Sequence, residues 1–482
     1  MTLLPVLVYN ALATAPDLRL YRPDPPLPEP DDWATQHFGA ADLGDVRRNR
    51  RLVTYAAAAA ADPSGSIPQQ CGGDWADTKA AYALFDNDHV TFSAVCTPHW
   101  RATRQTPPGC YLLLGDTTEV DFGAHRDLAD ASALGNGSGR GFLLHSALLV
   151  GADSDAVFGL AGQVIHYRQP APAKESAAKR RQRDRESMVW TQVIAAAGRP
   201  PAGACWIHVL DRGGDNFEVF CHARQQQTDC VIRASCLHRK VENAEGLQRE
   251  LRQVLAGLPL AGTYPLALRA RPKQPARTAT LEVRYGSLVM PRPRVSSPYA
   301  RQQPPVALQV VWVRERQPPA GQAGLSWVLY TTLPVTSYEQ AVRVVVYYER
   351  RWVIEEWHKA LKAGCQAERR QLHLAERLEP LLGVLGVVAV RLLQLRSLAR
   401  TQPHRVAEEC VPADYVRVLR RLGRAPAGVI WTVATFFRAV AKLGGFLGRR
   451  RDNEPGWQAI WDGWEKLQWI VRGVRLARGE ET

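Results

Sequence analysis

Short apolar runs alternate with helical stretches from residue 111 to residue 233, and this alternation constrains the fold more than any other feature of the sequence. Each run has the length of a buried strand and is bounded by turn-forming residues or by an amphipathic stretch. The runs cover residues 111–115, 142–150, 156–166, 206–210 and 230–233. Strands that alternate with helices in this manner predict an α/β core.

Segments of different character flank and interrupt this core. Residues 1–30 are proline-rich toward their end and predict an irregular arm, whereas residues 31–90 predict an N-terminal helical domain. Residues 91–400 contain the core, and strand-like runs at 281–285, 307–314 and 325–331 predict a β-rich insertion over about 240–335. We also expect a charged helix over 174–197 and a long helix over 337–363.

The last predicted domain, residues 401–482, has a helical pattern throughout. Its large apolar side chains recur at helical spacing, which is typical of a core or of an oligomer interface. They are Trp457, Ile460, Trp461, Trp464 and Leu467.

The charge balance favours a polyanionic partner. The 482 residues include 61 Lys and Arg against 47 Asp and Glu, which gives a net charge of +14. Such a charge favours nucleic acid as a partner, although a basic protein without that role would have the same composition. The chain is long enough for two or three domains.

Cysteine usage and hydropathy predict a cytoplasmic protein. The nine cysteines are scattered without a CxxC pair, which argues against a secreted disulfide framework and against a zinc ribbon. Residues 1–15 are apolar but lack the positive segment of a signal peptide. The longest apolar run, residues 381–390, ends at Arg391 and is too short to span a bilayer.

One face of the predicted helix over 337–363 has a conspicuous polar stripe. At 100° per residue its four polar side chains fall within about 60° of one another, and the apolar ones fall roughly opposite. The stripe consists of Tyr348, Arg351, Glu355 and Lys362. A solvated charged face would show the same pattern, so the stripe alone does not indicate a site.

Two aspartates strengthen a functional interpretation of this stripe. Asp116 and Asp211 each follow an apolar run, and open α/β sheets place reactive groups at the carboxyl ends of their strands. Each aspartate taken singly could simply begin a turn or cap a helix. Together with Glu355 they form a carboxylate triad, and hard oxygen ligands of this kind suit Mg²⁺ or Mn²⁺.

The stripe resembles the signature of bacterial DDE transposases of insertion-sequence family four, the Tn-five type. In that signature two residues separate Tyr from Arg, three separate Arg from Glu, and six separate Glu from Lys, as they do here from Tyr348 to Lys362. Residues 116–118 (Asp-Thr-Thr) and 211–215 (Asp-Arg-Gly-Gly-Asp) resemble the first and second catalytic motifs of that family. Residues 39–87, 389–395 and 441–446 resemble its terminal regions. Gly115 stands where the family would lead us to expect an acidic residue.

The resemblance implies an RNase H-like catalytic core with a β-rich insertion, flanked by an N-terminal helical DNA-binding domain and a C-terminal helical dimerisation domain. It implies that Asp116, Asp211 and Glu355 hold two Mg²⁺ ions, for which Mn²⁺ can substitute. Tyr348, Arg351 and Lys362 would then hold the backbone of the terminal nucleotides.

Further DNA contacts follow from the same resemblance. Trp327 matches a stacking tryptophan that receives a flipped base, and Arg233 matches a DNA-contacting arginine. Trp327 could equally be a strand tryptophan packed within the insertion. A cluster of four arginines fits a helix that reads the transposon end, although a solvated basic helix would look the same. The cluster is Arg47, Arg48, Arg50 and Arg51.

The leading hypothesis is therefore a cut-and-paste transposase that acts as a homodimer on double-stranded DNA. It would bind terminal inverted repeats, nick the DNA, form and open a hairpin, and join 3′-hydroxyl ends to target DNA. A DNA-binding relic without catalysis is a second hypothesis, but the triad and the N-terminal region are both present. A metal-dependent nuclease of the same fold is a third, in which the stripe and Trp327 would have no evident use.

Overall fold

The computed structural model describes residues 28–479 of the chain, except for 124–127, 129, 136–138, 155, 170–173, 175, 177–185, 269–274, 295, 424–429 and 450–453. The irregular arm predicted over residues 1–30 lies outside the described residues apart from 28–30. Most of the charged part of the helix predicted over 174–197 lies outside them as well, and the described helical part begins at residue 186.

The N-terminal region is helical, as predicted. Its helices are α1 (Pro30–Phe38), α2 (Val46–Ala61), α3 (Ile67–Gln70), α4 (Trp75–Phe85) and α5 (Phe92–Arg104). Local chemistry sets their limits, because Asp45 accepts a hydrogen bond from the backbone of Arg47 at the start of α2 and Asp74 does the same for Asp77 at the start of α4. Trp33, Leu52 and other apolar side chains of these helices are buried in the main hydrophobic core.

A mixed twelve-stranded sheet forms the centre of the molecule, in the order β2-β3-β1-β5-β6-β12-β11-β10-β7-β8, with β4 paired to β3 and β9 to β10. The strands are β1 (Gly109–Asp121), β2 (Ser132–Leu134), β3 (Gly139–Gly151), β4 (Val157–His166), β5 (Ala204–Leu210), β6 (Asp229–Arg233), β7 (Lys240–Asn243), β8 (Gln248–Glu250), β9 (Gly262–Leu268), β10 (Arg277–Met290), β11 (Val306–Glu315) and β12 (Ser326–Thr331). Strand β1 runs antiparallel to β3 and parallel to β5, and β5 runs parallel to β6. The predicted α/β class is confirmed.

Helices cover both faces of the central strands, and alternate residues of β1 point to opposite layers. On one face Leu113 packs with Val193 of α6 (Val189–Ala197). On the other face Leu112 belongs to the core that contains Ile354 and Trp357. Helix α7 (Phe217–Gln225) completes the first layer next to β6.

The β-rich segment predicted over about 240–335 extends the central sheet rather than forming a separate one. Strand β12 pairs antiparallel with β6, with Leu329 opposite Arg233, and β11, β10 and β7 follow in turn. Two short helices interrupt it, α8 (Leu251–Ala256) and α9 (Pro298–Arg301). The predicted strands are present, each with somewhat different ends.

The prediction of one continuous helix over 337–363 is wrong, because the segment is interrupted. It is divided into α10 (Tyr338–Arg350), α11 (Trp352–Lys359) and a π-helical turn, Ala360–Gly364. At the division the amide of Arg351 bonds to the carbonyl of Tyr348, and the amide of Ile354 bonds to the carbonyl of Arg351. These i to i+3 bonds tighten the chain locally, so a constant 100° per residue does not hold across Arg351.

The C-terminal region is helical, with α12 (Ala375–Thr401), α13 (Ala413–Arg421), α14 (Val433–Leu443) and α15 (Trp457–Ala477). On α15 the side chains of Ile460, Trp461, Trp464 and Leu467 are buried, which agrees with the predicted apolar stripe. Trp464 stacks on Phe437 of α14 with ring centroids 6.3 Å apart.

The apolar run over 381–390, expected to be too short to span a bilayer, lies within the longer helix α12. The helix does not end at Arg391, and among the described helices it alone is long and apolar enough to cross a membrane. Of its most apolar window, 89% is buried inside the protein. An all-round apolar helix enclosed in this way is typical of the centre of a large soluble protein, so burial rather than length argues against a membrane span.

Arg370 joins the segment after the π-helical turn to the N-terminal helices. Its side chain is 4% exposed and donates hydrogen bonds to the carbonyls of Pro63, Gly65 and Cys365. Pro63 and Gly65 lie in the loop after α2, so one guanidinium satisfies backbone groups from two distant parts of the chain.

We expect Arg370→Met to lower the free energy of unfolding by about 3 kcal/mol, because hydrogen bonds from a charged donor contribute roughly 1.5–3 kcal/mol each and the buried carbonyls would lose their partner. Urea unfolding followed by tryptophan fluorescence measures this. The matched control is Arg369→Met at the neighbouring exposed position, for which we expect a change within about 0.5 kcal/mol. Equal losses in the two variants would contradict the assigned role.

Candidate active site

Asp116 and Asp211 lie side by side on the central sheet. The parallel pairing of β1 with β5 ends at Gly115 opposite Leu210, and the two aspartates are the next residues of the two strands. The sequence-based expectation that Asp116 ends its strand is wrong, because β1 continues to Asp121 through its pairing with β3. Asp211 does end its strand, as predicted.

Each aspartate is oriented by a backbone amide. Asp116 Oδ1 accepts a hydrogen bond from the amide of Thr117 at 2.8 Å. Asp211 Oδ1 accepts one from the amide of Gly213 at 2.7 Å, so it caps the short turn Arg212–Gly214. The expectation that Asp211 could begin a turn or cap a helix is therefore confirmed. The Oδ2 atom of Asp211 takes no part in this cap.

Arg351 connects the third carboxylate to the first. From the division between α10 and α11, its guanidinium donates to Asp116 Oδ2 at 3.0 Å and to Glu355 Oε1 at 2.5 Å. Its side chain is 14% exposed, that of Asp116 16% and that of Glu355 31%. Ion pairs at this depth are screened less than surface pairs, so the bridge holds α11 firmly against β1.

The three carboxylates lie close enough to affect one another electrostatically. Burial raises the pKa of Asp116 to about 6, and the negative charges of Asp211 and Glu355 add to the increase, while Arg351 and the Thr117 amide oppose it. Because the pKa is raised, the folded state holds this proton more tightly than the unfolded chain. Raising the pH from about 4 to about 6 therefore lowers the free energy of unfolding.

The donor chemistry of the site suits a hard divalent cation, but the present arrangement is closed. Within the described part of the chain, no three His, Cys, Asp or Glu side chains are grouped closely enough to hold a metal ion. The guanidinium of Arg351 bridges two of the three carboxylates instead. It supplies a positive charge between these partly buried carboxylates.

Tyr348, three residues before Arg351, contacts Trp327. Tyr348 is only 6% exposed, so the prediction that it lies on a polar face away from the core is wrong. The tight turn at Arg351 changes the helical phase, and the Tyr348 ring packs edge-on against Trp327 with centroids 5.4 Å apart. Trp327 lies on β12 and is half-buried, so both the packing role and a stacking role remain compatible with its position.

Lys362 extends from the π-helical turn toward the end of β1. Its Nζ donates to the carbonyl of Glu119 at 2.5 Å and pairs with Glu368 at 2.9 Å. Glu368 could not be predicted as a partner of Lys362, because the contact depends on the turn after α11. Arg351 and Lys362 thus both reach β1, three residues apart along the strand.

Arg233 lies next to Asp211, because the parallel pairing of β5 with β6 ends at Leu210 opposite Ile232 and these are the next residues; the arginine cluster belongs to the N-terminal helices. Arg233, at the end of β6, donates weakly to the carbonyl of Ser326 at 3.4 Å. The four clustered arginines lie on α2, where Arg48 bonds to the carbonyl of Leu43 and Arg51 pairs with Asp77. The Arg47 side chain is 86% exposed and pairs with Asp45 at 2.9 Å, and Arg50 is also exposed, so both lie on the outer face of α2.

Trp352 is an exposed aromatic residue that the sequence interpretation did not single out. It follows Arg351 directly and is 55% exposed, which is unusual for a tryptophan. The signal was present in the helical projection, because Trp352 falls only about 40° from Tyr348 on the polar side of the helix.

Two segments of the chain match known protein families. Residues 30–90 match a family model described as transposase DNA-binding, and residues 387–482 match one described as the transposase Tn5 dimerisation domain. The matches lie on either side of the sheet that carries the carboxylates and do not include it. They support a Tn5-type transposase that binds DNA and dimerises.

In the absence of divalent ions, we expect the carboxyl group of Asp116 to titrate with a pKa of about 6, and Arg351→Ala to raise that pKa further because the opposing cation is removed. Carbon-13 NMR of labelled aspartate side chains, assigned with Asp116→Asn, measures both values. Arg343→Ala is the control, since Arg343 is exposed on α10 and should leave the titration unchanged. A titration near the ordinary value of 3.8 would refute the described burial.

Proposed function

We propose that this chain is a cut-and-paste DNA transposase of insertion-sequence family four, with Asp116, Asp211 and Glu355 as its catalytic carboxylates. The observation that carries the proposal is that Asp211 lies beside Asp116 on paired strands while Arg351 joins Asp116 to Glu355, in a chain with two segments that match transposase models. The substrate would be double-stranded DNA at terminal inverted repeats, cut and joined by a homodimer in the bacterial cytoplasm.

The strand arrangement supports an RNase H-like core. Three antiparallel strands (β4, β3 and β1) continue into two parallel strands (β5 and β6), and the first two aspartates follow the paired residues of β1 and β5. Glu355 comes from a helix packed on the same face. Convergence of three acidic residues from separate elements suits a site built for charge rather than for packing.

Asp116, Asp211 and Glu355 would together hold two Mg²⁺ ions, or Mn²⁺ in their place. Bound there, the ions would activate the attacking oxygen and stabilise the leaving oxygen of an in-line displacement. The bridging guanidinium supports this assignment, because it sits between two carboxylates that would otherwise repel one another. Arg351 would have to leave them when a divalent cation takes over that neutralisation.

Once released from the carboxylates, Arg351 would be able to bind a phosphate of the DNA on the same surface. A guanidinium donates two parallel hydrogen bonds to a phosphate as readily as to a carboxylate. Lys362 contacts β1 at Glu119, three residues beyond Asp116, and it would contact a neighbouring phosphate as a point charge. Tyr348, being buried, would support Trp327 rather than contact DNA directly, which refines the role that the resemblance implies.

Hairpin formation would place a flipped base on Trp327. The ring is half-buried at the edge of the site and braced by Tyr348, so its orientation is fixed before DNA arrives. A rigid aromatic surface is what an extruded base requires. The reaction would then proceed from the nick to the hairpin, to hairpin opening and to strand transfer.

We expect Glu355→Gln to reduce cleavage of the DNA ends that flank the gene by roughly a thousandfold, since loss of a charged ligand removes several kcal/mol of transition-state stabilisation. End binding in a mobility-shift assay should be unchanged. Glu339→Gln, at an exposed position on α10, is the matched control and should cleave normally. Undiminished cleavage by Glu355→Gln would refute the catalytic assignment, and nicks without hairpins in the unaltered protein would indicate a nuclease.

For Trp327→Ala we expect normal first-strand nicking but hairpin formation slowed by roughly tenfold to a hundredfold, because stacking of one base contributes about 1–3 kcal/mol. Denaturing gels that resolve nicked from hairpin DNA measure the two steps separately. Trp327→Phe retains an aromatic face and should recover most of the rate. An equal loss of nicking and hairpin formation in Trp327→Ala would instead mean that Trp327 only supports the packing of Tyr348.

A further inference from the structure

Two cysteines face each other across the strands that carry the candidate carboxylates. Cys110 on β1 is paired directly with Cys205 on the parallel strand β5. Side chains of directly paired residues project from the same face of a sheet, so the two thiols face the same side. Both residues are free and half-buried, which leaves them accessible to small molecules.

The geometry of neighbouring strands permits a bond between these sulfurs. Paired strands lie about 4.8 Å apart, and disulfides join Cα atoms that are roughly 4.4–6.8 Å apart. The two thiols shift one another's pKa, which agrees with their direct pairing across β1 and β5. No change of register between β1 and β5 is needed for the sulfurs to approach.

The two thiols differ in reactivity. The interaction with Cys110 lowers the pKa of Cys205 below that of an ordinary thiol, whereas the interaction with Cys205, together with burial, raises the pKa of Cys110. Cys205 is therefore the better nucleophile, and Cys110 is placed to react second.

The other seven cysteines lack such a partner arrangement. Five of them are buried, namely Cys96, Cys221, Cys230, Cys365 and Cys410. Burial raises the pKa of the half-buried Cys71. Cys236 is exposed, and it serves as an internal reference for simple surface reactivity.

We propose that Cys110 and Cys205 form a dithiol modification site that a low-molecular-weight disulfide such as oxidised glutathione converts to an intramolecular disulfide. Cys205 loses its proton to water, and its sulfur attacks the glutathione disulfide, which releases one glutathione thiolate. The sulfur of Cys110 then attacks Cys205 in the mixed disulfide, its proton passing to the second glutathione as that leaves. The protein loses two protons and two electrons, and the glutathione disulfide takes them up as it is reduced to two thiols.

The cross-link would join the strands that bear Asp116 and Asp211. Each cysteine precedes its aspartate by the same six positions, because β1 and β5 run parallel and in register. At a rise of about 3.3 Å per residue the bond would lie roughly 20 Å from the carboxylates. It would hold the two strands in register without touching the candidate active site, and the inference does not depend on the proposed function.

The experiment uses the full chain with Cys236→Ser, which removes the exposed competing thiol and leaves the pair intact. The protein is incubated with oxidised glutathione, quenched with acid, alkylated and mapped by mass spectrometry before and after reduction. We expect Cys110 and Cys205 to lose their alkylation together, with their peptides joined and the chain lighter by two hydrogens. Reduction with dithiothreitol should restore both thiols.

Single variants separate the two steps. Cys110→Ser should stop at a stable glutathione adduct on Cys205, and Cys205→Ser should leave Cys110 reacting at least about tenfold more slowly. The corresponding alanine variants, checked by circular dichroism, provide the same comparison if serine disturbs the fold. The proposal is overturned if both cysteines remain alkylatable under conditions that modify Cys236 in the unaltered chain, or if each is glutathionylated without becoming joined to the other.

Discussion

The parallel pairing of β1 with β5 is the interaction on which the rest of the site depends. Backbone hydrogen bonds from Gly109 opposite Ala204 to Gly115 opposite Leu210 keep the strands in one register. Because successive residues alternate between faces, a slip by one residue would move Asp116 to the wrong side of the sheet. The apolar residues Leu112 and Leu114 resist such a slip, since each is fully buried in the main core.

Arg351 joins a third element, helix α11, to the two paired strands. Buried carboxylates in proximity destabilise a fold unless a cation lies between them, and removing one partner of such a pair costs several kcal/mol. The tight turn at Arg351 brings its guanidinium within reach of both Asp116 and Glu355. Tyr348 is buried because it lies on the face of α10 that also carries Val344 and Val345, and there its ring contacts Trp327.

Local sequence patterns predicted the strands of the core because each is a short apolar run. The prediction that Asp211 ends its strand holds because the pairing of β5 with β1 stops at Leu210. They failed for Asp116, since β1 is prolonged by antiparallel pairing with β3, a distant segment that apolarity alone does not reveal. They failed for Tyr348 because a periodic projection cannot anticipate i to i+3 bonding at Arg351. The domain limits and the metal ligands stay predictions.

Helix α12 connects the two segments that match transposase families. The C-terminal match begins within this helix, and Arg391 lies just inside it. Its guanidinium lies 5.6 Å from the ring of Trp33, a residue of the N-terminal match, and donates to the carbonyl of Pro28. Burial lowers the pKa of Arg391 to about 10, so the side chain still carries its charge at neutral pH.

A buried cation of this kind favours one docking geometry, because any displacement would leave the charge without its carbonyl and aromatic partners. Arg370, in the segment before α12, makes a comparable contact to the loop after α2. The N-terminal helices are thereby held on the core by two arginines rather than by apolar packing alone. The outer face of α2, with Arg47 and Arg50, consequently has a defined orientation relative to the carboxylates.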